Sequence, residues 1–252
     1  MSRYQDTDDD HSVLCQMQQL ALVAEANLQE RPLVKGLFCL ASAEQAHELI
    51  AVVVREGAMP VTCLPKMAHV RAESEVCRLA RLAMHIEQNR LDRTDLPVYQ
   101  GREQLMSGAA ALLEEDASLE CQDAMRWLAL LLDKLLRGNH GSQQAKLDGL
   151  TMTAMESRAL APESLNTGAV MRGSWRRKAR NQLGHANWLD VVEAALWCFW
   201  HSDDLDDLKG GEALLDVLLG SDSRVRLVYG MLCGAFYHAD TAIISANPSS
   251  SI

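Results

Sequence analysis

The stretch GSDSRVRLVYGMLCGAFYHA, residues 220–239, sets Asp222 in a small-residue turn directly before a helix that carries Gly230 and Gly234. An aspartate at such a boundary can hold a hard cation, because Mg2+ takes carboxylate and hydroxyl oxygens. Two positions on stands Arg224, whose guanidinium ligates no cation and opposes one nearby. A second acidic group lies at DTDDDHS, residues 6–12, where Asp6, Asp8, Asp9 and Asp10 accompany Thr7, His11 and Ser12 at the mouth of a helix. Adjacent carboxylates there can converge on one ion, although such a run also serves as a solvated tail that favours the positive end of the helix. A basic run, MRGSWRRKAR, gathers Arg172, Arg176, Arg177, Lys178 and Arg180 around Trp175. Guanidinium groups beside an indole suit a pyrophosphate and an adenine, although such a run more commonly serves as a solvated face balancing nearby acids.

Other chemistries find no support in the spacing. The seven cysteines (Cys15, Cys39, Cys63, Cys77, Cys121, Cys198, Cys233) are dispersed without a C-x-x-C pair, which gives neither a zinc nor a redox signature. In contexts such as LWCFW and GMLCGA a reduced cysteine acts as a small hydrophobe. The eight histidines form no H-x-x-x-H pair, and no serine or cysteine sits in a nucleophile elbow.

The elements that must position these groups read as helices. Apolar residues, mostly Leu and Ala, recur at helical spacing, and aromatics are only 5%. Helices are expected at 13–29, from Ser42 as cap to a stop at Gly57 and Pro60, and at 74–89, 103–115, 118–137, 187–201, 211–219 and 225–238. In the 187–201 helix, Trp188, Val191, Val192, Ala195 and Phe199 form an apolar stripe, while Trp197 and Trp200 lie off it. LVKGLFCLAS and MPVTCLPK read as loops, residues 137–174 as a long site-bearing loop, and SANPSSSI as a disordered tail. The glycines at 230 and 234, four apart, are expected to face one neighbouring backbone.

In this order, the segments resemble the ADP-ribosylglycohydrolase family, which includes the dinitrogenase reductase-activating glycohydrolases and the ADP-ribosylarginine hydrolases. The family carries a helix G-Y-V-x-D-T-L-E-A-A-L-W, an acidic turn, a metal loop G-G-D-x-D-T and a last helix Y-G-x-L-A-G-A-Y-Y. Their counterparts here are ANWLDVVEAALWCFWHSDDLDD, GEALLDVLLGSDS and VYGMLCGAFY, with Asp190, Glu193, Ala194, Ala195, Leu196 and Trp197 matching by position. TDDDHSVL is similar to the family's T-D-D-T opening through Thr7, Asp8 and Asp9, and LNTGAVMRG echoes S-N-G-A-x-M-R at Asn166, Gly168, Ala169, Met171 and Arg172. The likeness is best over the last 70 or so residues.

The resemblance implies an all-α, compact orthogonal helical domain over residues 1–243, with a tail at 244–252. It implies one or two Mg2+ ions held by Thr7, Asp8, Asp9 and Asp222, with Asp8 and Asp9 as the catalytic pair. Asn166, Gly168, Arg172, Trp175 and Trp188 are the expected substrate contacts, with Trp188 or Trp175 stacking on adenine. The implied reaction is hydrolysis of the glycosidic bond joining ADP-ribose to a protein side chain, arginine first. Two departures point to a pseudoenzyme that binds ADP-ribosylated proteins, or an ADP-ribosylating toxin, without turnover. No G-x-x-x-G-D-A-x-G segment precedes Thr7, and Arg224 occupies the place of the loop's second aspartate or threonine.

Charge narrows the partners. A formal charge of -10 gives a field that repels a phosphate backbone, so nucleic acid is not an expected general partner. The polar, acidic N-terminus lacks the layout of a secretory signal and no apolar run is long enough to span a bilayer, so a cytoplasmic location away from membranes is expected.

Overall fold

The computed structural model describes residues 31–56, 74–91, 98–114, 117–138, 142–202, 213–216 and 222–237, and no strand occurs among them. The helices are α1 (Pro32–Leu40), α2 (Ala43–Arg55), α3 (Glu75–Leu91), α4 (Val98–Ala110), α5 (Leu119–Arg137), α6 (Gln143–Leu150), α7 (Ala154–Leu160), α8 (Leu165–Met171), α9 (Trp188–His201) and α10 (Ser223–Tyr237). Two short 3-10 turns, Ser174–Arg177 and Arg180–Gln182, join α8 to α9. The fold is all-α, as the helical periodicity predicts. No helix of the described residues is long and apolar enough to cross a membrane.

The centre is α5, whose Ala124, Met125, Leu128, Leu131, Leu132 and Leu135 are buried and which packs against α3, α4, α9 and α10. Ser118 caps it by accepting from the Cys121 amide, which satisfies one of the first-turn donors that a helix leaves open. The expected stripe on α9 is buried at all five positions, and so are Leu189, Ala194, Leu196 and Cys198, which makes this helix a core element on nearly every side. Helix α2 begins where expected, with Ser42 accepting from the Gln45 amide and Gln45 answering to the Ser42 amide.

Two segments expected as loops are helical. LVKGLFCLAS forms most of α1, with Pro32 in the first turn and Leu33, Val34, Leu37 and Leu40 buried. The neighbouring backbone expected for Gly230 and Gly234 is this helix. A Cβ on Gly36 would overlap the Gly230 carbonyl, and one on Gly234 would overlap the Pro32 carbonyl. Gly36 is a poor helix former, so the segment is helical because α10 buries it, not because of its own propensity. Likewise residues 137–174 are not a structureless loop, since α6, α7 and α8 lie within them, each capped by a hydroxyl from Ser142, Thr153 or Ser164. The expected helix at 13–29, the loop at MPVTCLPK and the tail lie outside the described residues.

A buried carboxyl ties α1 to α3. Arg31 offers α1 no side-chain cap, and Glu87 from α3 instead accepts from the Leu33 amide at 2.7 Å and the Val34 amide at 3.4 Å. Only 4% of Glu87 is exposed, and burial pushes its carboxyl up to about 7 against the lowering effect of those amides and of Arg31.

Candidate functional site

Asp222 stands immediately before α10, where its Oδ1 accepts from the Arg224 amide at 2.9 Å and so caps the helix. The Arg224 guanidinium folds back onto the same carboxylate, with Nε 3.2 Å from Oδ1 and Nη2 2.8 Å from Oδ2. His185 Nδ1 lies 2.9 Å from Oδ2, and Arg224 Nη2 also donates to the His185 carbonyl at 2.7 Å. A further ion pair, 3.6 Å, joins Arg224 Nη1 to Glu75 at the start of α3. Burial alone would raise the Asp222 carboxyl, but the hydrogen bonds and charge of Arg224, with His185, hold it below its ordinary value. Reciprocally, Asp222 raises the Arg224 guanidinium.

A second polar cluster lies at the starts of α5, α8 and α9. Glu120 Oε1 accepts from the Asn166 side-chain amide at 2.9 Å and from the Ser164 hydroxyl at 3.1 Å. Its Oε2 accepts from the Asn187 side-chain amide at 3.2 Å, while Asn187 also caps α9 by accepting from the Asp190 amide. Because Asn187 lies two residues from His185, the clusters are adjacent, and five helices (α3, α5, α8, α9, α10) begin along one polar strip. Their amino-terminal dipole ends favour negative charge there, and Glu75, Glu120 and Asp222 now supply it.

The expected site residues therefore divide. Asn166 and Asp222 both lie on the strip, and Arg172, at the end of α8, rests its Nη1 over the bare Cα of Gly168. Trp175 is 1% exposed and set edge-on to Trp200 at 6.2 Å, with the Arg176 guanidinium over both rings, so the stacking expected of it has no open ring face. Trp188, at 6%, likewise belongs to the core. Within the basic run, Lys178 pairs with buried Glu193 at 2.6 Å, and its carbonyl accepts from Trp197 Nε1. Thr7, Asp8 and Asp9 lie outside the described residues.

Magnesium does not fit Asp222 in this arrangement. Both carboxylate oxygens are engaged by cationic donors, and an ion would have to displace a bidentate guanidinium held on a two-residue tether. Among the described residues no three His, Cys, Asp or Glu side chains group to hold a metal. Glu120, His185 and Glu75 carry no spacing signal in the sequence, since each is a single polar residue whose partner is distant in sequence.

No protein-family model matches the chain, and neither a curated protein nor a solved structure matches it. What fold and site define is an all-α protein with a convergence of helix amino-termini at one end, closed by an arginine–aspartate–histidine lock.

Proposed function

We propose that the chain is a helical protein of the ADP-ribosylglycohydrolase type that recognises ADP-ribose, or a protein carrying it, without metal-assisted hydrolysis. The carrying observation is the lock on Asp222, whose two oxygens are committed to Arg224 and His185. In the family that the sequence resembles, this position holds Mg2+ together with the Thr7, Asp8 and Asp9 counterparts. With a guanidinium in place of the second acidic ligand, a cationic group already occupies the oxygens that a dication would need. The helix amino-termini beside it, and the amide of Asn166, are groups that can bind the oxygens of a diphosphate or a ribose.

The test is release of free ADP-ribose from an arginine-ADP-ribosylated protein, with Mg2+ and with EDTA, beside calorimetric binding of ADP-ribose. Binding without turnover is the expected result. Turnover that disappears with EDTA and in an Asp8→Ala plus Asp9→Ala variant would establish the Mg2+-dependent hydrolase instead. Failure to bind ADP-ribose in any form would reduce the site to an inherited scaffold.

A further inference from the structure

Residues 172–180 carry five cations, and the structure sorts them into two sets. Two are built into the protein. Arg176 lies over Trp175 and Trp200 and donates to the Thr151 hydroxyl at 3.2 Å, and Lys178 pairs with Glu193 inside the edge of α9. These contacts, the buried Trp175 and the bond from Trp197 Nε1 to the Lys178 carbonyl pin the backbone at several points. Gly173, at φ 84°, turns the chain out of α8, a conformation glycine adopts without steric cost, and the Ala179 amide is held by Gln182 Oε1 at 2.8 Å.

The other set points outward. Arg172, Arg177 and Arg180 are exposed, and none forms an ion pair among the described residues. In a protein of net charge -10, three guanidiniums within nine residues of a pinned segment, without an ion pair among the described residues, form a local reversal of sign. An exposed arginine gains little from any one partner, and a row of them gains from a ligand that repeats its charge along an extended chain. A nucleic acid long enough to leave the strap would meet the acidic remainder of the surface, whereas a short acidic peptide would not.

We propose that residues 172–180 are a docking strap for a short carboxylate-rich segment of a protein partner, with Arg172, Arg177 and Arg180 as its contacts. The inference rests on the recognition role proposed above, for which it supplies the contact to the protein that bears the ADP-ribose. Arg172, over Gly168 on α8, is the end of the strap nearest the Asn166 strip.

The experiment measures fluorescence anisotropy of a labelled oligoglutamate peptide with the full chain and, separately, calorimetric binding of ADP-ribose. The peptide should bind at about 20 mM salt and weaken about tenfold or more at about 300 mM, where exposed pairs are screened. An Arg177→Glu plus Arg180→Glu variant should lose peptide binding by about tenfold or more and keep both its thermal melt and its ADP-ribose binding, whereas Arg177→Lys plus Arg180→Lys should keep peptide binding within about threefold. No peptide binding at low salt, or binding unchanged by the charge reversal, overturns the proposal. So does an oligothymidylate of equal charge that binds more tightly and is lost in the same variant. If peptide binding follows the arginines while ADP-ribose binds to none of the proteins, the strap stands and the recognition reading alone fails.

Discussion

Glu87→Gln should make the protein's stability less dependent on pH, and the burial of the carboxyl sets the sign. Burial among apolar side chains raises the Glu87 carboxyl from 4.5 to about 7, even though it accepts from the Leu33 and Val34 amides and stands 3.6 Å from Arg31. Between those two values the folded protein keeps a proton that the unfolded chain has released. The native state therefore binds more protons there, and stability falls as pH rises through the window. The gap between 4.5 and about 7, at about 1.4 kcal/mol per pH unit, makes a loss of about 3 kcal/mol by pH 8. Glutamine keeps an oxygen for the Leu33 amide and cannot ionise, so it imitates the protonated acid at every pH. Urea denaturation followed by circular dichroism from about pH 5 to about pH 8 gives the two stability curves, and all other titrating groups cancel in their difference. The variant should gain on the wild type by about 3 kcal/mol across that range. A difference that stays flat within about 0.5 kcal/mol, or that rises with a midpoint in the ordinary carboxylate range, would refute the claim that burial dominates Glu87.

Two further substitutions test the frame that carries the site. Gly36→Ala places a Cβ onto the Gly230 carbonyl, and backbone cannot yield as a side chain tip can. It should cost about 3 kcal/mol or more in thermal or urea unfolding, and a loss below about 1 kcal/mol would mean that α1 and α10 do not approach so closely. Lys178→Met strips the partner from Glu193, which is 3% exposed, and should cost about 3 kcal/mol, whereas adding Glu193→Met should recover most of it. A double variant no more stable than the single one would show that the pair is not what makes Lys178 matter.

How far the sequence is legible depends on whether a signal is local. Helices α2, α5, α9 and α10 announce themselves through caps at Ser42, Ser118 and Asn187 and through apolar periodicity, all of which act within a few residues. Helix α1 does not, because it is nine residues long with a glycine at its centre and its stability comes from α10, nearly two hundred residues away in the chain. Helices α6 to α8 are too short for a period to show, although the Thr153–Glu156 capping box was there to be read. The same division runs through the site. Asp222 and Arg224 are flagged by their spacing of two, and Asn166 by the company of Gly168 and Arg172. Glu120 and His185 carry no such mark, since only the fold brings them to Asn166 and Asp222. Trp175 and Trp188 looked like stacking platforms from their neighbours alone, and burial, which no short motif encodes, makes them core.

Arg224 and a metal ion at Asp222 compete for the same oxygens. A dication needs carboxylate oxygens with free lone pairs and negative charge in excess, and Asp222 has already given its oxygens to an amide, a guanidinium and an imidazole. Arg224 cannot drift far, because its backbone is fixed by the helix cap that Asp222 makes and its Nη1 is drawn toward Glu75. Arg224 thus stays on Asp222 where five helices begin, and the negative charge that their dipoles favour is supplied there by Glu75, Glu120 and Asp222. An anion approaching this strip has to compete with Asp222, the His185 carbonyl and Glu75 for the guanidinium, whereas Mg2+ has to expel the guanidinium from both Asp222 oxygens. The proposed recognition role rests on this occupancy of the Asp222 oxygens by cationic donors.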